Sequence, residues 1–379
     1  MRKKIGLITI VMMLLVPSSW IQAEGIHIHA ESAVLIDVTS GRVLYERNAD
    51  KRMRIASLTK VMTAIVAIEH GDLSDKVTVS RNAEGVEGSS IYLQTGDEMS
   101  LEHLLYGLML RSGNDAAVAI AEHVGGSLDG FVYLMNEKAT ELGMENSTFK
   151  NPHGLDADGH LSTSKDVAKL TAYALKNEAF QNIVKTKSVR VPDPEEDWDM
   201  IWRNKNKMLS RYEGSDGVKT GYTVSARRCL ISSATRNNQQ LAVVTLNDPN
   251  DWVDHANLLN YGFETYPLRS LVEEDSNPIE NQYIPSQSFY YPLTESELSQ
   301  VKYDIDLEDK ASLSYRLGKR GKINFYLKGH HIGNVPLNII QQDKEQMKPA
   351  SASLSVDENS DSGIGKWMKT LQVVLTGSR

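Results

Sequence analysis

Residues 55–68 hold the feature that most constrains this chain: one lysine, Lys60, inside an apolar run. Val61, Met62, Ala64, Ile65 and Ile68 recur at helical spacing, which predicts a mostly buried helix ended by Gly71. Ser57 stands three residues before Lys60, about one turn, so the two share a helix face. A serine hydroxyl is a weak nucleophile until a base takes its proton. Lys60 can be that base if burial and a nearby charge lower its pKa. Ser57 is also expected at a helix N-terminus, where backbone N–H groups and the dipole favour developing negative charge.

Spacing alone does not make a site. Ser-x-x-Lys recurs at Ser147/Lys150, Ser162/Lys165 and Ser299/Lys302, where its ordinary role is a solvated helix face or an N-cap. Order separates the first copy from these. Ser112-Gly113-Asn114 follows it, and then Lys219-Thr220-Gly221. Ser-x-Asn occurs once more, at Ser80-Arg81-Asn82, and Lys-Thr-Gly occurs nowhere else.

The three motifs in this order form the signature of penicillin-binding proteins and serine β-lactamases. Residues 54–63 resemble the nucleophile region of low-molecular-weight penicillin-binding proteins, the serine-type D-alanyl-D-alanine carboxypeptidases. Residues 108–117, 151–156 and 217–223 fit the same family, and the similarity runs from about Ser32 to about Tyr266. The stretch 112–136, with Glu122-His123-Val124-Gly125-Gly126-Ser127, is most similar to the sporulation-associated branch of endospore formers.

This resemblance implies a D,D-carboxypeptidase that removes the terminal D-alanine from peptidoglycan stem pentapeptides. It also implies that β-lactams act as covalent inhibitors. Ser57 would attack the carbonyl between two D-alanines, and neutral Lys60 would take its proton. Backbone N–H groups of Ser57 and, by resemblance, of Tyr222 would form the oxyanion hole. Ser112 would relay a proton to the leaving amine, and Asn114 would bind the substrate amide and hold Lys60. Lys219 and Thr220 would receive the terminal carboxylate, and Gly221 would let the substrate backbone approach its strand. Many vegetative relatives carry His where this chain has Tyr222, so the role expected there is the backbone's. His153 either lines the site or packs its loop. No cofactor or metal is expected. Two rivals share motifs with this reading. A serine β-lactamase needs a deacylating base, but no Glu-x-x-Leu-Asn follows Ser112. A non-enzymatic penicillin sensor needs transmembrane signalling segments, which the hydropathy pattern lacks.

The rest of the chain sets bounds. Its 379 residues leave room for more than one domain. With Lys+Arg 41 against Asp+Glu 49 and no basic block, no nucleic-acid partner is expected. One cysteine, Cys229, excludes an intramolecular disulfide and sits in an apolar run as a small core residue. Arg2-Lys3-Lys4, an apolar run to Val16 and Ile21-Gln22-Ala23 give residues 1–23 the layout of a signal peptide, with an uncleaved anchor as the rival. Either places the folded part outside the cytoplasm, at the outer face of the membrane or in the cell envelope.

Residues 32–37 and 42–45 read as a hairpin around Thr39-Ser40-Gly41. Helices are expected from 101 to 142, broken at Ser112-Gly113-Asn114 and at Gly125-Gly126. Residues 151–160 read as a loop, 166–177 as a helix capped by Ser162 or Ser164, and 193–197 as a surface turn. Strands are expected at 218–223, 228–235 and 240–247, then a helix over 251–266. The fold class is therefore α+β. It is the DD-peptidase/β-lactamase-like arrangement of a largely antiparallel sheet, five-stranded by resemblance, covered by helices and joined to a helical lobe. The catalytic domain spans 24–266. A small β-rich domain, 267–346, follows, with strands expected at 312–317 and 323–327. Residues 347–362, rich in Ser, Asp and Glu, read as a flexible linker. In 363–379, Ile364, Trp367, Met368, Leu371, Val374 and Leu375 form one apolar helical face, which suits an interfacial membrane helix or a helix docked on the β-domain.

Overall fold

The computed structural model describes residues 26–192, 199–274, 276 and 282–340. The expected signal segment, the linker, the C-terminal helix and the turn at 193–197 lie outside those residues.

The chain opens with a hairpin of β1 (Ser32–Asp37) and β2 (Val43–Arg47). Asp37 Oδ1 accepts the Ser40 N–H at 2.8 Å and so ties the turn. A single 3₁₀ turn over Ala56–Thr59 leads into α1 (Lys60–His70), all of whose residues from Lys60 to Ala67 are buried. A long loop follows, closed at its base by β3 (Lys76–Thr78) and β4 (Glu98–Ser100). Ser100 caps α2 (Leu101–Tyr106) by accepting the His103 N–H at 3.2 Å. That helix widens to a π turn over Gly107–Arg111 and ends at Ser112, whose φ of 65° turns the chain sharply. Helices α3 (Asn114–Gly125) and α4 (Leu128–Glu141) complete the helical lobe.

Helices α5 (Ser164–Ala174) and α6 (Glu178–Lys185) return the chain toward the sheet. A second hairpin, β5 (Ser188–Pro192) and β6 (Asp199–Arg203), and the short α7 (Met208–Arg211) come next. Strands β7 (Ser215–Thr223), β8 (Arg227–Arg236) and β9 (Gln239–Leu246) and helix α8 (Asp251–Thr265) close the domain. The sheet is antiparallel throughout, in the order β2-β1-β9-β8-β7. One face carries Val34, Ile36, Val218, Ile231 and Val244 against α1 and the lobe. The other carries Leu35, Leu230 and Val243 against Leu258 and Leu259 of α8. This alternation of two apolar faces is what a sheet covered on both sides requires. Cys229 lies buried in the first core, and burial pushes its thiol up to about 12, so it packs as an inert core residue.

The smaller unit contains β10 (Leu268–Val272), β11 (Tyr283–Pro285), β12 (Phe289–Pro292), α9 (Glu295–Leu298), β13 (Val301–Leu307), α10 (Leu313–Arg316), β14 (Gly321–Leu327) and β15 (His330–Ile339). Its main sheet has the order β11-β15-β14-β13 over a core of Tyr283, Ile323, Phe325, Val335 and Leu337. Arg42, at the start of β2, joins the two units: its guanidinium bonds Glu297 at 2.7 Å and stacks on Tyr266 and Tyr291.

Two local expectations change. Thr163, not Ser162 or Ser164, caps α5: it keeps extended dihedrals and accepts the Asp166 N–H at 3.0 Å. Ser162 and Ser164 are turned to other hydroxyls, Ser147 and Ser32. Residues 313–316, expected as strand, form a helical turn because Ser312 caps it through the Tyr315 N–H at 3.0 Å.

Candidate active site

Ser57 sits on the 3₁₀ turn just ahead of α1 and not in the helix itself, held there by Ala56 at φ 47°. Lys60 is the first residue of α1 and is fully buried. Its Nζ lies 3.1 Å from Ser57 Oγ, 2.6 Å from Asn114 Oδ1 and 2.7 Å from the His153 carbonyl oxygen. None of these partners is a carboxylate. Burial, then the charges of Lys219 and Lys205, lower the Lys60 pKa well below the ordinary lysine value. A neutral amine has two hydrogens and one lone pair. Asn114 and His153 accept the two hydrogens, which leaves the lone pair facing the Ser57 hydroxyl.

Ser112 follows the π turn and is placed by its left-handed conformation. Its Oγ accepts from Lys219 Nζ at 3.1 Å. Lys219, on β7, is itself buried and also donates to the Thr220 carbonyl at 2.8 Å. Burial and the Lys205 charge hold its pKa down to about 7. Asn114 opens α3 and has a protein partner at each end of its amide: Oδ1 on Lys60, and Nδ2 on the Glu87 carbonyl at 2.6 Å. Asn114 thus holds Lys60 from one end of its amide and the Glu87 loop from the other.

Glycine at 221 also has a packing use. A Cβ there would stand 3.2 Å from the Ser57 nitrogen and 3.4 Å from Ala56 Cβ, so glycine lets β7 close on the nucleophile turn. Gly154, at φ 87°, does the same from the other side, since a Cβ would meet the Ala56 carbonyl at 2.0 Å. The ring of His153 accepts the Leu155 N–H at 3.2 Å and is kept neutral by burial, with its pKa near 3. Its backbone serves the site while its ring packs the loop. Tyr222 is 60% exposed, so its side chain closes nothing off. Ser57, Ser112, Thr220, Gly221 and Tyr222 share a cleft of about 500 Å³.

The same cleft holds groups that no motif marked. Lys205 reaches Ser89 Oγ at 3.2 Å, and Arg228 is paired in two bonds with Asp251 beside Trp252. Lys205 lies in a polar stretch with nothing in its spacing to single it out. Asp115 could have been noticed, as a carboxylate opening an apolar helix. It is buried and accepts the Ile91 N–H at 3.0 Å and the Leu93 N–H at 3.2 Å, which pins the loop that carries Ser89. Among the described residues no cluster of His, Cys, Asp and Glu has metal-binding geometry.

A serine beside a buried lysine whose pKa is lowered, facing a second serine–lysine pair across a cleft, is the arrangement of a serine acyl-transfer enzyme on a helix-covered antiparallel sheet. Comparison with known proteins gives the particular family. The profile of D-alanyl-D-alanine carboxypeptidases matches residues 19–250. The carboxypeptidase DacF of Bacillus subtilis is 33% identical over 371 residues, covering 91% of this chain and 94% of that one. DacC of Escherichia coli is 31% identical, covering 85% and 86%. The crystal structure of penicillin binding protein 5 from Haemophilus influenzae superposes with a TM-score of 0.67 at 27% identity, over 83% of this chain and 97% of that one. The chain belongs to the D-alanyl-D-alanine carboxypeptidase family.

Proposed function

We propose that this enzyme hydrolyses the terminal peptide bond of peptidoglycan stem peptides ending in D-Ala-D-Ala, through an acyl-enzyme on Ser57. The observation that carries the proposal is the Lys60 environment: three oxygen neighbours, none of them a carboxylate, and complete burial. Ser57 Oγ attacks the carbonyl carbon as its proton passes to Lys60 Nζ. The oxyanion meets the backbone N–H groups of Ser57 and Tyr222. Ser112, bonded to Lys219, relays the proton taken up by Lys60 to the departing D-alanine amine, which returns Lys60 to its neutral form. Lys219 and Thr220 hold the terminal carboxylate, and binding that anion restores the positive charge that burial disfavours in free Lys219. Water then attacks the ester, and Lys60 again serves as base.

A β-lactam amide mimics the D-Ala-D-Ala bond, and its opened ring stays attached, so penicillins are covalent inhibitors. The enzyme acts outside the cytoplasm, at the membrane face of the wall. The 1–23 layout supports export, and the apolar face of 363–379 supports membrane association. None of the described helices is long and apolar enough to cross a membrane. The resemblance of 112–136 to the sporulation-associated branch favours a wall made during spore formation. The catalytic domain is 24–266 and the β-domain 267–346. The deciding experiment is incubation with diacetyl-Lys-D-Ala-D-Ala while D-alanine release is followed. Release that saturates and is blocked by prior penicillin treatment supports the proposal, and no release contradicts it.

A further inference from the structure

The small β-domain has two unlike ends. At one end, the turn between β14 and β15 faces the catalytic domain: Lys328 lies 3.4 Å from Glu297, which also binds Arg42. At the other end, Leu307 pairs with Gly321, Lys322 with Pro336 and Tyr283 with Ile339. Two things meet there. One is the connection 308–320, which carries α10. The other is the end of β15, beyond which residues 341–379 continue the sequence. Gly318 and Arg320 line one surface groove with Asn338, Ile339 and Ile340, which places the connection beside the point where the chain leaves.

The tip of that connection combines exposed leucines with cations. Leu313 is 64% exposed and Leu317 is 74% exposed, and Ile339, in the groove with Gly318 and Arg320, is 42% exposed. Among the described residues no neighbour covers these side chains. Residues 308–320 hold four cations, Lys310, Arg316, Lys319 and Arg320, against Glu308 and Asp309, in a chain whose net charge is −8. Arg320 is pinned over the Tyr315 ring and to the Tyr315 carbonyl at 2.6 Å, which braces the tip. Exposed leucines ringed by cations suit the boundary between anionic headgroups and acyl chains.

We propose that residues 308–320 form a membrane contact, so that the far end of the β-domain rests on an anionic lipid surface and the catalytic domain is held away from it. This rests on the reading of a membrane-face enzyme given above and adds a contact separate from 363–379. Each cation near an anionic surface strengthens binding about fivefold. A single amphipathic helix binds only reversibly, and a second contact at the same end fixes orientation as well as affinity.

The test uses the full chain. Cys229 is buried, so a thiol at Leu317→Cys takes an environment-sensitive fluorophore selectively, and His330→Cys, at the opposite end of the sheet, serves as control. Both are mixed with phosphatidylcholine/phosphatidylglycerol vesicles that contain brominated acyl chains. The proposal expects quenching and a blue shift at position 317 and neither at 330. It also expects vesicle affinity to fall about tenfold or more in Arg316→Gln/Lys319→Gln, with D-alanine release from soluble peptide unchanged. Binding without quenching at 317 overturns the proposal and leaves the C-terminal segment as anchor. Absence of any vesicle binding overturns both membrane readings and leaves the hydrolase assignment standing. A blue shift at 317 without lipid, growing with protein concentration, would put a second copy of the chain there and overturn the proposal too.

Discussion

Ser57/Lys60 and Ser162/Lys165 share the same spacing, yet the structure makes them opposites. Lys60 is buried among amide and hydroxyl oxygens and meets no carboxylate. Lys165 is partly exposed and lies 3.3 Å from the Asp50 carboxylate. Ser162 is buried but spends its hydroxyl on Ser147. Ser147/Lys150 and Ser299/Lys302 fare no better, since Lys150 and Lys302 are both exposed. A serine three residues before a lysine is thus only a geometric opportunity. Reactivity comes from desolvating the amine without supplying a counter-ion, which shifts its proton equilibrium in the useful direction.

Variants can break or sharpen this contrast. The largest effect is expected from Ser57→Ala, which should lower D-alanine release by at least about 10⁴-fold, since losing a nucleophile removes the whole covalent route. Ser162→Ala should leave release unchanged. Activity retained in the first variant would mean the wrong serine has been named. Next is Lys60→Arg, which fixes a positive charge that cannot be given up near neutral pH. Penicillin acylation, followed by stopped flow, should fall about 10²-fold or more, whereas Lys165→Arg should acylate normally.

A smaller effect concerns pH. Lys60 must be neutral to accept a proton, so acylation is lost as pH falls through its folded-state pKa. Because burial and two cations lower that pKa, the acid limb should lie below the ordinary lysine range. Lys205→Gln removes one of those cations, raises the Lys60 pKa and should move the limb to higher pH. A limb that stays in place or moves to lower pH would show that Lys205 does not act on Lys60 through charge.

Much of this was legible in the sequence where local chemistry and burial agree. The run from Val61 to Ile68 reads as a buried helix and is one. The chain breaks at Ser112, where a π turn gives way to a left-handed residue, and the three late strands appear within a few residues of their expected ends. Helix α6 is a fainter signal, eight residues whose Phe180, Ile183 and Val184 have helical spacing behind an Asn177 cap. The mixed alternation around Leu313 fits strand and short helix alike, and one serine cap decides between them. Lys205, Arg228 and the His153 carbonyl were out of reach for another reason. They join the cleft only through tertiary contacts between segments far apart in sequence, and a carbonyl leaves no mark on residue type.

The central claim is that one of four similarly spaced serines has been made a nucleophile by the lysine beside it. Intact-mass measurement after penicillin treatment, followed by peptide mapping, addresses it directly. One adduct per chain, located on Ser57, is the predicted result. An adduct on Ser147, Ser162 or Ser299, or no adduct in folded protein, would contradict it.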